Sequence, residues 1–510
     1  MEESNNNSKT KKFSLGMLIA MVVGSMVGAG VFSLPHRFAE AGGALGTIIA
    51  WIIAGGGMLT MALVFQNLAN RKPKIDAGVF AYAKAGFGDY IGFLSAFGYW
   101  ASACVGNVFY WILIMTTLSA FFPQLGQGNT IIAVAISSVM IWLFHLLVSK
   151  GVKEAASVNK IVTIAKVIPL ILFLIITAFA FKPDLFAQNF IGSSTISFGE
   201  IYEQVKATML LTVFVFLGIE GASIYSRYAK KREDVGRSTV IGFLLVLALF
   251  AAVTLLSFGV LPRAELAGMA DPSVGSVLES IVGRWGAIFI GAGLIISVLG
   301  AYLAWTLMAA EVLYQAAKNN DMPKFLEKQN SRGVPSRALL LSSILVQAVL
   351  ILTIFSYDAL TLALTLCATL SLLPYLLSGA YALKLTITKE TYDQDKSKLR
   401  KDMTIAAIAT VYGIFLFYAT GGELLLLSCI LYLPGTILYF IARRERGLKV
   451  FSPSEKILFG ITATAAIFGI IFLISGGLNH ATENSSLENS TNIEYLDQIQ
   501  NGQYLTTKED

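Results

Sequence analysis

Two apolar stretches of the chain hold the residues whose types and spacing could do chemistry. The first reads Gly24-Ser25-Met26-Val27-Gly28-Ala29-Gly30-Val31-Phe32, with three glycines in seven positions. The second reads Phe216-Leu217-Gly218-Ile219-Glu220-Gly221-Ala222-Ser223, which places a carboxylate among apolar neighbours. In lipid every backbone polar group must be satisfied, so an unwound segment survives only where it lines a protein cavity. Tight packing of small residues between helices would also use such glycines. The two stretches, however, fall in the first and sixth of a series of spans, and glycine-interrupted spans at matching positions point to a binding site. A half-helix beginning near Gly30 offers free N–H groups and a positive dipole end, which suit a carboxylate. Half-helices ending near Val27 and Leu217 expose carbonyls, which suit an ammonium. The zwitterionic head of an amino acid matches both, and glycine lets it approach the backbone closely.

Single polar residues at membrane depth add to this. A buried charge such as Glu220 is expensive and usually functional, and it is expected to shape a pathway and respond to pH. Lys166, about ten residues into its span, either snorkels to the surface or serves the site. Trp305 lies mid-span, whereas tryptophans that only anchor sit at interfaces. Asn107 either bonds a neighbouring helix or faces a ligand. Glu311 and Asp358 lie nearer span ends and read as structural or surface residues. His145 has no nearby ligand partner. Cys104, Cys367 and Cys429 are scattered through apolar segments without disulfide or metal-ligand spacing. HExxH and GxxxxGK[ST] patterns are absent. No metal, no cofactor and no catalytic nucleophile–base pair is expected, and so no enzyme.

The elements that must position these residues are membrane helices. Apolar residues make up 55% of the 510 and charged ones only 14%, far below the quarter typical of soluble domains. Residues 50–67 and 168–181 carry no charge at all, and an apolar run of about 20 residues crosses the hydrocarbon layer as a helix. The pattern predicts thirteen spans, near 14–40, 44–69, 89–122, 130–149, 157–181, 200–226, 238–261, 284–316, 337–356, 358–383, 403–420, 423–442 and 456–476. The corresponding organisation is a cytoplasmic tail at 1–13, a five-helix repeat at 14–181, and a second, inverted five-helix repeat at 200–383. Three further helices fill 403–476, and a disordered acidic tail follows at 477–510. With the N-terminus inside, the alternate loops and ends hold 31 Lys and Arg inside and six outside, as the positive-inside rule requires. The C-terminus is then external. The net charge of +6 is divided among loops, which gives no nucleic-acid face. The polar, basic start runs straight into a long helix without a cleavage site, so no removable signal peptide is read.

These residues resemble the amino acid–polyamine–organocation superfamily, and within it the basic amino acid antiporters. The resemblance covers nearly the whole chain. It rests on GSMVGAGVFSLP in span one, Tyr99-Trp100 and Gly106-Asn107 in span three, FLGIEGAS in span six, Trp305 in span eight and Leu373-Pro374-Tyr375 in span ten. The segments 69–93 and 229–239 are similar to those of bacterial arginine/ornithine antiporters. The resemblance implies an all-α polytopic protein of the bacterial inner membrane, with a LeuT-like five-plus-five inverted repeat and broken helices one and six. It implies that Gly28, Ala29 and Gly30 hold a substrate carboxylate, and that carbonyls of Met26 and Leu217 take the α-ammonium. Trp305 would face a cationic side chain, with Asn107 and carbonyls at Ser102 and Ala103 accepting from its donors. Tyr99, Glu220 and Tyr375 would form gates, and the Lys166 ammonium would stand where relatives hold a coupling sodium. Three positions depart from the arginine/agmatine exchangers: Ala29 replaces serine, Phe214 replaces tryptophan and Cys367 replaces serine. The implied partners are membrane lipid and basic amino acids (arginine and ornithine first, lysine or agmatine as further candidates), with a homodimer as a compatible assembly. The expected function is exchange of arginine for ornithine by alternating access. Proton-coupled uptake of lysine or arginine, or arginine/agmatine exchange, is the alternative. A membrane sensor or enzyme is a distant one, for which no catalytic constellation or soluble module is apparent.

Overall fold

A computed structural model describes residues 14–475, apart from 74, 76–78, 152–154, 193–196, 221–232 and 393–395. Both tails, the first four residues of the 229–239 segment and the last six of expected span six, with Gly221, Ala222 and Ser223, lie outside the described residues. The described chain folds into helices without a strand. In chain order they are α1 (Leu15–Met26), α2 (Leu34–Ala41), α3 (Ala44–Arg71), α4 (Val79–Phe87), α5 (Asp89–Ser119), α6 (Ile131–Ser149), α7 (Ala155–Ala180), α8 (Pro183–Gln188) and α9 (Phe198–Phe216). After the undescribed stretch come α10 (Glu233–Ser257), α11 (Arg263–Ala267), α12 (Ser273–Val282), α13 (Arg284–Lys318), α14 (Ser336–Leu352), α15 (Ala359–Ile387), α16 (Lys396–Glu445) and α17 (Pro453–Ile474).

Nine of the described helices are long and apolar enough to cross a membrane, and α1 with Gly30–Ala41, bent by 50° at its break, makes a tenth. The chain is therefore a multi-pass membrane protein. Helices α3, α5, α13 and α15 occupy the stretches expected for spans two, three, eight and ten. The short helices α4, α11 and α12 were not expected from hydropathy, because each is too short to register as a span. The 50 residues of α16 form two helices joined at a kink, each long enough to cross the hydrocarbon layer. The kink is at Gly421, whose φ of 77° and ψ of 163° are not helical. The expected spans eleven and twelve lie on either side of that residue.

Local sequence sets the helix starts. Ser197 accepts from Glu200 N at α9, Asp358 from Thr361 N at α15, and Ser452 with Glu455 forms a reciprocal capping box at α17. Helix α5 is the most enclosed span, with 89% of its apolar window buried, and α17 the least, at 17%. An apolar helix enclosed on all sides belongs at the centre of a bundle. Around α5 the site is assembled. The α17 helix lies at the edge, where Gly469 packs closely on the Leu426 carbonyl of α16.

Candidate functional site

The site begins with two interrupted helices. Regular bonding in α1 ends with Val27 N donating to Val23 O at 2.9 Å, and the Gly28 amide turns back to Met26 O at 2.8 Å. The amides of Ala29, Gly30 and Val31 then find no acceptor among the described residues. Phe32 N bonds Ala29 O at 3.1 Å, within a 3-10 turn (Gly30–Ser33) that leads into α2. The cradle of free amides is thus centred one residue beyond the expected Gly28–Gly30, because the Gly28 N–H is committed. In the second break, α9 ends at Phe216, and Gly218 adopts a φ of 100°.

The breaks meet face to face. Ser25 Oγ lies 2.9 Å from Val22 O in its own helix and 2.9 Å from Gly218 O across the gap. A Cβ on Gly218 would stand 2.8 Å from Ser25 O, and one on Gly30 would stand 2.8 Å from the Val215 side chain. Glycine is needed at 218 for its positive φ and at both positions for close approach. Lys166 of α7 is 2% exposed and donates from Nζ to Gly24 O. Its ammonium therefore does not reach the surface but fastens on the end of α1.

Between the breaks lies a small, partly open cavity. Met26, Gly28, Ala29 and Gly30 form one wall, and Phe214 and Leu217 the wall opposite. Ser102 and Ala103 of α5, Trp305 of α13 and Cys367 of α15 complete it. Ser102 Oγ donates to Cys367 O at 2.7 Å, and Cys367 Sγ to Ser102 O at 3.2 Å, so α5 and α15 are stitched together at the cavity. Asn107 is not on the wall. It is buried, donates from Nδ2 to Thr306 Oγ1 at 3.3 Å, and leaves Oδ1 without a partner among the described residues. Sequence reading missed Ser25, Val31, Gly106, Tyr110 and Val215. The signal for two of them was helical spacing: Ser102, Gly106 and Tyr110 recur every fourth residue on one face of α5, and Asn107 is turned to its flank.

At one end of the cavity three expected gate residues come together. Tyr375 Oη donates to Glu220 Oε2 at 2.8 Å, and Tyr99 Oη donates to Glu220 Oε1. All three side chains are buried. Tyr375 follows Cys367 by eight residues, about 12 Å along α15. Phe65 packs edge-on to Tyr375 at 5.5 Å, and Met308 Sδ lies 3.6 Å from Tyr99 Oη. Farther out at this end, beyond the spans, Lys84 Nζ donates to Asp321 Oδ1 at 2.6 Å and to Asn319 O at 2.7 Å. Burial outweighs Lys84 and pushes the Asp321 carboxyl up to about 6.

The opposite end is held by arginines. Arg37 of α2 pairs with Asp271 at 3.1 Å and donates to Thr361 Oγ1 at 2.6 Å. Arg263, the first residue of α11, donates to Ala39 O at 2.8 Å, Glu40 O at 3.4 Å and Gly192 O. Its own amide bonds Asn189 Oδ1 at 2.9 Å. Burial lowers the Arg263 guanidinium to about 10, which leaves it charged at neutral pH. It saturates the carbonyls at the C-terminal end of α2, where a cation is also favoured by the helix dipole. His145 finds an ordinary partner in Ser343 Oγ at 2.9 Å, and Asp358 serves as the α15 cap.

Comparison with known proteins gives a consistent set of relatives. The family model for amino acid permeases matches residues 13–424. An arginine/ornithine antiporter of Pseudomonas aeruginosa is 48% identical over 479 residues, covering 93% of this chain and 99% of that one. An L-lysine transport protein of Corynebacterium glutamicum is 39% identical over 490 residues, covering 92% and 97%. An arginine/agmatine antiporter of Chlamydia felis is 37% identical over 475 residues, covering 91% and 98%.

Proposed function

The chain belongs to the amino acid permease family, and from that premise we propose that it exchanges arginine for ornithine across the bacterial inner membrane by alternating access. The observation that carries this reading is the cavity where two helix breaks meet. Free amides at Ala29, Gly30 and Val31 suit a carboxylate, and carbonyls beside the breaks suit an α-ammonium, so one small space accepts the head of an amino acid. Trp305 offers a ring face to a cationic side chain, an attraction worth about 0.5–2 kcal/mol depending on desolvation. Without a fixed anion opposite that side chain, binding stays reversible. Asn107 acts from behind the wall, with its unpartnered Oδ1 as a further acceptor.

In this reading the thirteen expected spans form two inverted repeats of five (14–181 and 200–383) and three further helices (403–476). The N-terminus is cytoplasmic and the C-terminus external. The Tyr99–Glu220–Tyr375 cluster then closes the cytoplasmic end, and Arg37 with Arg263 the external one. Lys166, bonded to the Gly24 carbonyl, supplies a fixed cation at the first break, which makes the exchange independent of sodium. A substrate accelerates reorientation only by binding the occluded state better than either open state. The decisive experiment is uptake of labelled arginine into proteoliposomes preloaded with ornithine, agmatine, lysine, histidine or putrescine, or left empty. Uptake that needs internal ornithine is expected. Equal uptake into empty vesicles under a proton gradient would replace exchange with proton-coupled uptake, a reading kept alive by the lysine-transporting relative.

A further inference from the structure

Three hydroxyl-bearing residues line the described cavity wall: Ser25, Ser102 and Tyr110. The Ser25 proton is engaged between the Val22 and Gly218 carbonyls. The Ser102 proton is engaged by the Cys367 carbonyl at 2.7 Å. Tyr110 is 7% exposed, yet its hydroxyl makes no hydrogen bond with any described residue. It points at the first break, because Oη lies 3.5 Å from where a Cβ on Gly28 would stand. The hydroxyl is not sealed inside the protein but opens onto the cavity, so its donor is available to whatever occupies that space. Tyrosine in such a position normally finds a partner. Here the space in front of it is the cavity, beside the unpaired amides of Ala29, Gly30 and Val31.

An ionised carboxylate presents about four lone-pair sites, and three backbone amides leave at least one unmet. Ala29, at the centre of the cradle, brings no hydroxyl of its own. We propose that the Tyr110 hydroxyl is the side-chain donor that fixes the substrate's carboxylate against the amides of the first break. This makes Tyr110 a binding and specificity residue that selects amino acids over their decarboxylated amines. The inference rests on the reading of the cavity as an amino-acid site. Ser102, Gly106 and Tyr110 share one face of α5, and at Gly106 a Cβ would meet the Cys367 thiol at 3.2 Å.

The test is Tyr110→Phe in the full-length protein reconstituted in liposomes, which deletes one oxygen and keeps the ring. The expected result is a rise of about tenfold or more in KM for arginine and for ornithine, in line with a lost hydrogen bond to a charged group. The maximal exchange rate should stay within about twofold, and inhibition by agmatine, which has no carboxylate, should be unchanged. Adding Ala29→Ser to Tyr110→Phe is expected to restore most of the arginine KM, because it returns a hydroxyl to the same cradle. A structural role for the phenol would not be rescued in this way. An arginine KM within twofold of wild type, or equal weakening of arginine and agmatine without rescue, overturns the proposal. If the wild-type protein exchanges no arginine at all, the functional reading itself falls, and this inference with it.

Discussion

At one end of the cavity a single carboxylate, Glu220, is held by two phenols from α5 and α15, whereas at the other two arginines fasten the short helix α2 to the loops around it. The first closure includes two hydrogen bonds from separate helices, with aromatic rings packed edge-on and tilted outside them. Separating α5 and α15 from the second break would cost about 1.5–3 kcal/mol for each bond to the charged group. The second closure is of another kind. Arg263 fills the last carbonyls of α2, and pulling it away would strand a buried charge together with several acceptors. In the proposed exchange cycle helix α2 and Arg263 would move as one body, and the contact to yield at that end would be Arg37 with Asp271 and Thr361. In that cycle the cross-helix bonds serve as a gate and the saturated guanidinium as a joint.

The comparison can be broken most directly at the joint. Arg263→Gln is expected to lower stability by about 3 kcal/mol or more, since it forfeits several charge-assisted bonds to carbonyls. Thermal unfolding in detergent measures this, and the arginine KM of the surviving folded fraction should be unaltered. A normal melting temperature would show that α2 is held by packing alone. At the gate, Glu220→Gln should leave folding intact and slow exchange about ten- to hundredfold, because an amide has only one oxygen to accept from two phenols. Full exchange activity in that variant would reduce the cluster to packing. The smallest effect belongs to Asp321, on the rim beyond the gate, with Lys84, Asp89 and Arg446 facing it. Its carboxyl holds a proton more tightly in the folded protein, up to about pH 6. Between about pH 4 and 6 the unfolded chain has thus already lost that proton, and stability falls as pH rises through this window. Asp321→Asn removes the titrating group and should flatten that decline, while the lost Lys84 pair changes only the absolute stability. Melting curves at pH 4.5 and 7.5 decide it, and parallel pH profiles for the two proteins would refute the assignment.

The architecture was legible where the physics is one-dimensional. Hydropathy placed α3, α5, α13 and α15, and the glycine pair in 24–32 and 216–223 announced the breaks, because lipid tolerates bare backbone nowhere else. Ten of the eleven residues expected at the substrate are on the cavity wall. The exception, Asn107, shows the limit: it differs from Gly106 by one position, and one position is a turn of 100° about α5. That the Gly28 amide is spent on Met26 O depends on a turn that residue types do not specify. The arginine joint was invisible for another reason. Arg263 and Ala39 are 224 positions apart, and a loop arginine read from sequence is only a charge that sorts to one side.

The Ser25 hydroxyl has a single proton and two carbonyls at equal distance, one in its own helix and one across the gap. When the halves of the site draw apart, that proton settles on Val22 and nothing is orphaned on the first helix. The bare oxygen left behind belongs to Gly218, where an arriving ammonium can claim it. In the proposed exchange cycle, parting the two breaks would trade an internal bond for one the cargo supplies.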